Sequence, residues 1–270
     1  MKTILDFAAA KARGQSISMV TCYDSTSAKI VSATAVDAIL VGDSVAMTMH
    51  GFSDTLNATT AMIESHVASV RRGAPEKLIV ADLPFLAHRG SLDATLEAVS
   101  KVMRAGANAV KIEGIEGSAE TIRHIVESGV PVMGHLGLTP QSVHQLGGFK
   151  VQGKTEIAAQ KIRAHAAALE ACGVFALVLE CVPSILAKQI TADLQIPTIG
   201  IGAGVDCSGQ ILVFQDVLGL NQDFRPKFVR PFLDGAALFT QALNAYDQAV
   251  KTKSFPAAAE SFDVKETLSQ

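Results

Sequence analysis

The sequence predicts an α/β protein built as a (β/α)₈ barrel, the TIM-barrel architecture, and three observations predict it. Short apolar runs recur along the 270 residues, most end in a glycine, polar or acidic residue, and helix-patterned segments lie between most of them. Alternation of this kind implies a parallel sheet covered by helices. Eight candidate strands without a shift in composition suit one closed barrel, which commonly reaches this length. An open, doubly wound sheet is the alternative.

The candidate strands are SISMVTCYD (16–24), DAILVGD (37–43), KLIVADLP (77–84), NAVKIEG (108–114), VPVMGHLG (130–137), VFALVLECV (174–182), IPTIGIGAG (196–204) and GQILVFQDV (209–217). Between them lie the helix-like segments STSAKIVSATA, with Asp24 or Ser25 as N-cap, TTAMIESHVASVRRG, and SLDATLEAVSKVMRAG, entered through Ser91. After Thr155, residues Ala158, Ile162, Ala166 and Leu169 keep the spacing of an amphipathic helix, which stops at Gly173. The last crossover is the weak element. About five residues separate the seventh and eighth runs, whereas a crossover helix needs about ten or more. The opening MKTILDFAAAKARG reads as a short amphipathic helix rather than a signal peptide. The expected organisation is one barrel domain over 1–250 and a polar tail over 251–270.

Composition narrows the function. The chain is 49% hydrophobic and 18% charged, which excludes a disordered chain, and no window approaches the roughly 20 apolar residues of a membrane span. A net charge of −3, with no basic run and no tryptophan, argues against a nucleic-acid surface. Cys22, Cys172, Cys181 and Cys207 lack metal-ligand spacing and read as small hydrophobes in a reducing cytoplasm.

The chemistry concentrates at the carboxyl ends of the runs, where sites of such folds collect. Those ends carry Asp43 and Ser44, Asp82, Lys111 and Glu113, His135, and Glu180. Strand parity puts Lys111 and Glu113 on one face, Val110 and Ile112 on the other, Asp43 with Ile39 and Val41, and Glu180 with Ala176 and Val178. Carboxylates about 4 Å apart repel by ~4 kcal/mol at an effective dielectric near 20, and a cation turns that repulsion into binding. Asp43, Asp82 and Glu113 are hard oxygen donors suited to Mg²⁺ rather than zinc, and Lys111 beside them suits an anionic substrate group. Plainer readings stand beside these. Asp43 and Asp82 fit helix caps, Lys111 with Glu113 fits a structural ion pair, and His135 fits a core histidine. Glu180 needs a partner to be structural, which favours function. The remaining histidines show no ligand-like spacing. The long connection 135–155, with Gly147 and Gly148, suits a movable flap. GIGAG (200–204) lacks the spacing of a phosphate loop and reads only as flexible backbone near the mouth.

In this order, "LVGDS", "RRGAP", "ADLPF", "RAGANAVKIEG", "GHLGLTPQS", "KVQG", "LVLECVP" and "IGIGAG" resemble the ketopantoate hydroxymethyltransferase family, over about residues 16–232. The resemblance implies a barrel of the phosphoenolpyruvate/pyruvate superfamily type, a cytoplasmic homodecamer dependent on Mg²⁺. It implies hydroxymethyl transfer from 5,10-methylenetetrahydrofolate to 3-methyl-2-oxobutanoate, giving 2-dehydropantoate in pantothenate biosynthesis. It implies a metal site at Asp43, Asp82 and Glu113, oxo-acid contacts at Asp43, Ser44, Asp82, Lys111 and His135, and Glu180 as proton acceptor. Neither nucleic acid nor membrane is an expected partner. The stretch GFSDTLNATT departs from the family pattern, with Phe52 in place of a smaller polar or aromatic-polar residue and Asn57-Ala58 in place of Pro-Val.

Overall fold

A computed structural model describes residues 3–222 and 225–262. Eight parallel strands close into a barrel in chain order: β1 (Ile17–Thr21), β2 (Ala38–Val41), β3 (Leu78–Asp82), β4 (Ala109–Glu113), β5 (Val132–Gly137), β6 (Ala176–Glu180), β7 (Thr198–Ile201) and β8 (Gly209–Leu212). Each lies inside one of the eight apolar runs, and β8 pairs back onto β1. The doubly wound alternative is excluded, because an open sheet has no such pairing.

The helices are α1 (Ile4–Ala12), α2 (Ser25–Ser32), α3 (Val45–Thr48), α4 (Thr60–Gly73), α5 (Leu92–Arg104), α6 (Ala119–Glu127), α7 (Val143–Leu146), α8 (Glu156–Ala171), α9 (Ser184–Asp193), α10 (Phe214–Val217) and α11 (Gly235–Lys251). Their starts are chemically marked. Asp24, Thr59, Ser91 and Thr155 each accept a hydrogen bond from a backbone N–H in the first turn of α2, α4, α5 and α8, satisfying donors that the helix itself leaves open. α8 runs to Ala171, and Gly173 then adopts a left-handed φ of 88°.

Closure without an eighth crossover helix has a geometric reason. β8 enters the sheet with Gly209 beside Ile199, so the chain needs only to return from Ile201 by two residues of strand. That is about 7 Å at the usual strand rise. The loop 202–208 spans it without a helix.

The barrel interior is one apolar cluster with members from all eight strands, among them Met19, Leu40, Val80, Ala109, Met133, Val178, Ile199 and Ile211. Alternate residues, such as Ile39, Ile79, Val110, Ile112 and Leu177, point outward and are also buried. This two-sided burial explains the continuous apolar runs. Phe7 of α1 joins the interior cluster and meets Phe175 edge to face, with ring centroids 5.8 Å apart. α1 therefore stoppers the strands' amino ends.

The chain divides into two compact units, one through Phe214 and one from Gln215 onward, so all eight strands lie in the first, well short of residue 250. Within the second unit, α11 is capped by Asp234 and runs to Lys251, and Tyr246 packs edge to face on Phe255. The tail expected over 251–270 is described only to residue 262. Among the described residues no helix is long and apolar enough to cross a membrane.

Candidate active site

The carboxyl ends of β3, β4, β5 and β6 bring Asp82, Lys111, Glu113, His135 and Glu180 together. Each continues the inward parity of Val80, Ala109, Met133 and Val178. Lys111 Nζ lies 3.2 Å from Asp82 Oδ1 and 3.7 Å from Glu113 Oε1. His135 Nδ1 lies 3.2 Å from both Glu113 Oε1 and Lys111 Nζ. On the other side of its ring, Nε2 lies 3.3 Å from Glu180 Oε2 without hydrogen-bond alignment. All are buried except Glu180, whose side chain is 16% exposed and thus the carboxylate most open to an incoming molecule.

Asp43 reaches the same place by another route. On β2 the interior positions are Ala38 and Leu40, so strand parity alone would turn Asp43 outward with Ile39 and Val41. The strand ends at Val41, however, and the chain curls at Gly42, with Val45 N–H donating to its carbonyl. A Cβ at Gly42 would stand 3.0 Å from Ser44 Oγ and 3.3 Å from Asp82 Oδ2, tight contacts that would press on both side chains and that glycine avoids. The Asp43 backbone N–H then donates to Asp82 Oδ2 at 2.9 Å. The parity assignment for Asp43 is therefore corrected: the turn, not the strand, delivers it.

The plainer alternatives are resolved in the same way. Asp82 accepts from Asp43 N–H and faces Lys111, while the cap of the following long helix is Ser91. Asp43 makes no cap bond either, because α3 is entered through Ser44 without a side-chain cap. Lys111 and Glu113 pair at the mouth rather than at the stoppered end, and His135 is buried but joined to Glu113.

Two residues that the sequence reading did not single out complete the cluster. Tyr23, after β1, shares a 2.7 Å hydrogen bond with Ser44 Oγ. Burial, only partly opposed by that bond, pushes its phenol up to about 12, so it keeps its proton. Gln141 sits in a 3₁₀ turn over Pro140–Ser142, just after β5. Its side-chain Nε2 donates to Asp43 Oδ2 at 2.8 Å and to Leu83 O at 2.9 Å, and its backbone N–H donates to Glu113 Oε2 at 3.0 Å. The only sequence signal for Gln141 was Pro140, which starts the turn. The connection expected as a flap is thus anchored in its first half, while Gly147 and Gly148 take left-handed conformations and Phe149 is 55% exposed in its second. In the departing segment, Asp54 caps a 3₁₀ turn over Thr55–Asn57.

The electrostatics follow from crowding. Burial first, then repulsion from Asp82 and Glu113, raises the Asp43 carboxyl well above the ordinary range, and burial raises Asp82 against the pull of Lys111. Burial would raise Glu113 too, but His135 and Lys111 outweigh it and hold Glu113 low. Burial and Lys111 both oppose a charged His135, yet Glu113 and Glu180 prevail and lift it to about 9. Lys111, surrounded by carboxylates, is raised despite its burial.

These donors fit a magnesium ion. Asp82 Oδ1 and Glu113 Oε1 are buried and meet only the cationic side chains of Lys111 and His135, without well-aligned hydrogen bonds, and a divalent cation beside Asp43 and Asp82 would relieve their mutual repulsion. Among the described residues no three His, Cys, Asp or Glu are gathered as a ready metal cage. That is consistent with Mg²⁺, which takes one or two carboxylates and fills its other positions with water or substrate.

Solved structures share this architecture. The chain is similar to a phosphonopyruvate hydrolase in complex with oxalate and Mg²⁺ (TM-score 0.63, 12% identity, covering 99% of this chain and 94% of that one). It is also similar to 2,3-dimethylmalate lyase (TM-score 0.60, 16% identity, 98% and 94% covered). The fold is therefore a closed parallel barrel like theirs. The family model of ketopantoate hydroxymethyltransferase matches residues 1–258, and the chain belongs to that family. Its relatives include proteins named 3-methyl-2-oxobutanoate hydroxymethyltransferase. That of Bdellovibrio bacteriovorus is 58% identical (97% of this chain and 100% of the relative covered), that of Coxiella burnetii 54% (93% and 95%), and that of Francisella tularensis subsp. novicida 51% (97% and 99%). The chain is accordingly an enzyme of the hydroxymethyltransferase class.

Proposed function

We propose that this enzyme transfers a hydroxymethyl group from 5,10-methylenetetrahydrofolate to 3-methyl-2-oxobutanoate, giving 2-dehydropantoate for pantothenate and coenzyme A biosynthesis. The relatives' names supply the substrate. The observation that carries the chemistry is the placement of Glu180, the most open carboxylate at a mouth whose others are buried and engaged.

Asp43, Asp82 and Glu113 would hold Mg²⁺, which when bound supplies a Lewis acid that lowers the cost of negative charge on the oxo acid's oxygens. Lys111 attracts the substrate carboxylate as a buried cation, and Ser44, fixed by Tyr23, offers a hydroxyl at the same mouth. Glu180 takes the C3 proton as general base. His135, whose ring lies between Glu113 and Glu180, offsets the charge of the Glu180 carboxylate. The C3 carbanion attacks the methylene carbon of the folate, forming the new carbon–carbon bond as one carbon–nitrogen bond opens onto its nitrogen; water then supplies the hydroxyl oxygen as the second carbon–nitrogen bond breaks, releasing tetrahydrofolate. Water has little access to the other acidic side chains, which are 4% exposed or less.

The family resemblance adds a cytoplasmic homodecamer to this reading, which sedimentation velocity tests. The chemistry is tested with purified protein, 3-methyl-2-oxobutanoate and Mg²⁺ in D₂O, without folate. The expected result is loss of the C3 proton signal by NMR, and 2-dehydropantoate once the folate is added. No exchange at saturating oxo acid would sink the assignment.

A further inference from the structure

Of the carboxylates at the mouth, Asp43 is the one that no strand aims. Asp82, Glu113 and Glu180 sit at inward positions on β3, β4 and β6, whereas Asp43 arrives on the turn after β2. A carboxylate on a turn rotates about its own side-chain bonds unless something outside the turn fixes it. The group that does so here is Gln141, 98 residues further along the chain and 7% exposed.

The side-chain nitrogen of Gln141 donates twice. Nε2 donates to Asp43 Oδ2 and to the carbonyl of Leu83, the residue after Asp82, while the backbone N–H of Gln141 holds Glu113 Oε2. One residue after β5 thereby ties together the segments that follow β2 and β3 and the last residue of β4. Its chemistry suits the task. A neutral amide orients a carboxylate without contributing a charge, so the acidic cluster keeps its attraction for a cation. A lysine or arginine there would compete with that cation.

We propose that Gln141 is a positioning residue that fixes the Asp43 carboxylate for a divalent cation. The inference rests on the Mg²⁺ reading of the acidic cluster and deepens it. Partners that orient metal ligands typically contribute 10–100-fold to affinity.

The test is calorimetric titration of the full-length, metal-stripped protein with Mg²⁺ alone, with thermal unfolding followed beside it in the absence of metal. Gln141→Met keeps the length of the side chain but removes both donors. It is expected to raise the Mg²⁺ dissociation constant about 10–100-fold, and turnover is expected to recover toward wild type at saturating Mg²⁺. A merely structural role would lower the unfolding temperature without moving the metal constant. If Gln141→Met does not fold, Gln141→Asn, which keeps an amide but draws it back by one methylene, is read in the same way. Asp82→Ala separates the two claims. Weakened binding in Asp82→Ala with unchanged binding in a folded Gln141 variant overturns the positioning role and leaves the metal reading standing. Wild-type protein that does not bind Mg²⁺, or an Asp82→Ala variant with unaltered affinity, overturns both.

Discussion

The two ends of this barrel are equally dry and chemically opposite. At the strands' amino ends Phe7 is 1% exposed and lies among Ile17, Phe175 and the apolar interior. At the carboxyl ends Asp82 is 2% exposed, with Lys111, Glu113 and His135 at 4% or less. The first end gains from every contact, because burying apolar surface is favourable without any particular geometry. The second tolerates burial only through specific pairing, because isolated charges in a dry interior are costly. Fold stability is thus held at one end, and at the other the same burial sets up strong, directed electrostatics for chemistry.

The sharpest way to test that division is Glu180→Gln. It is expected to slow C3 exchange by about 10²–10⁴-fold, the usual contribution of a general base. The unfolding midpoint should move little, because Glu180 is the most exposed of these acids. A large stability loss with intact exchange would reverse the roles assigned to the two ends.

Lys111→Met attacks the mouth from the other side. It leaves buried carboxylates without their cation, and losing one partner of a buried pair typically costs about 3–5 kcal/mol in denaturant unfolding. Added Mg²⁺ should restore part of that loss, as a ligand that binds only the folded state does. Phe7→Ala is expected to cost a similar ~3–5 kcal/mol. For Phe7→Ala, whose acids and Lys111 are intact, Mg²⁺ should stabilise variant and wild type alike and leave the gap between them, read at the same Mg²⁺, unchanged. Equal rescue of both variants would dissolve the distinction.

The smallest expected effect lies at a helix start. Asp24 caps α2 through Ser27, and Asp24→Ala should cost about 0.5–2 kcal/mol. Partial burial raises the Asp24 carboxyl, but the bonds from Ser27 prevail and hold it below its ordinary value. A group depressed in this way contributes stability above its unfolded pKa and loses it as pH falls through its folded pKa. The difference between wild type and variant should therefore shrink on acidification, as urea unfolding at several pH values would show.

Much of the molecule was legible before the structure. All eight strands fall within the apolar runs, and Asp24, Ser91 and Thr155 mark helix starts. The inward faces of β4 and β6 follow from counting by twos, so Lys111, Glu113 and Glu180 were found with their orientation correct. The same counting misplaced Asp43, because period two holds only while the chain remains extended, and β2 ends at Val41.

What the sequence by itself determined was local: where strands and helices form, which residues start them, and which acids end the strands. These follow from apolar periodicity and backbone hydrogen-bonding needs within a few residues. Tertiary structure decided the rest. A register that sets Gly209 beside Ile199 let the barrel close without a last crossover helix. The Gly42 turn swung Asp43 against Asp82, and Gln141 joined Asp43 to Glu113 from a distant turn. Such contacts depend on distances in space between residues far apart in the chain, and no local pattern encodes them.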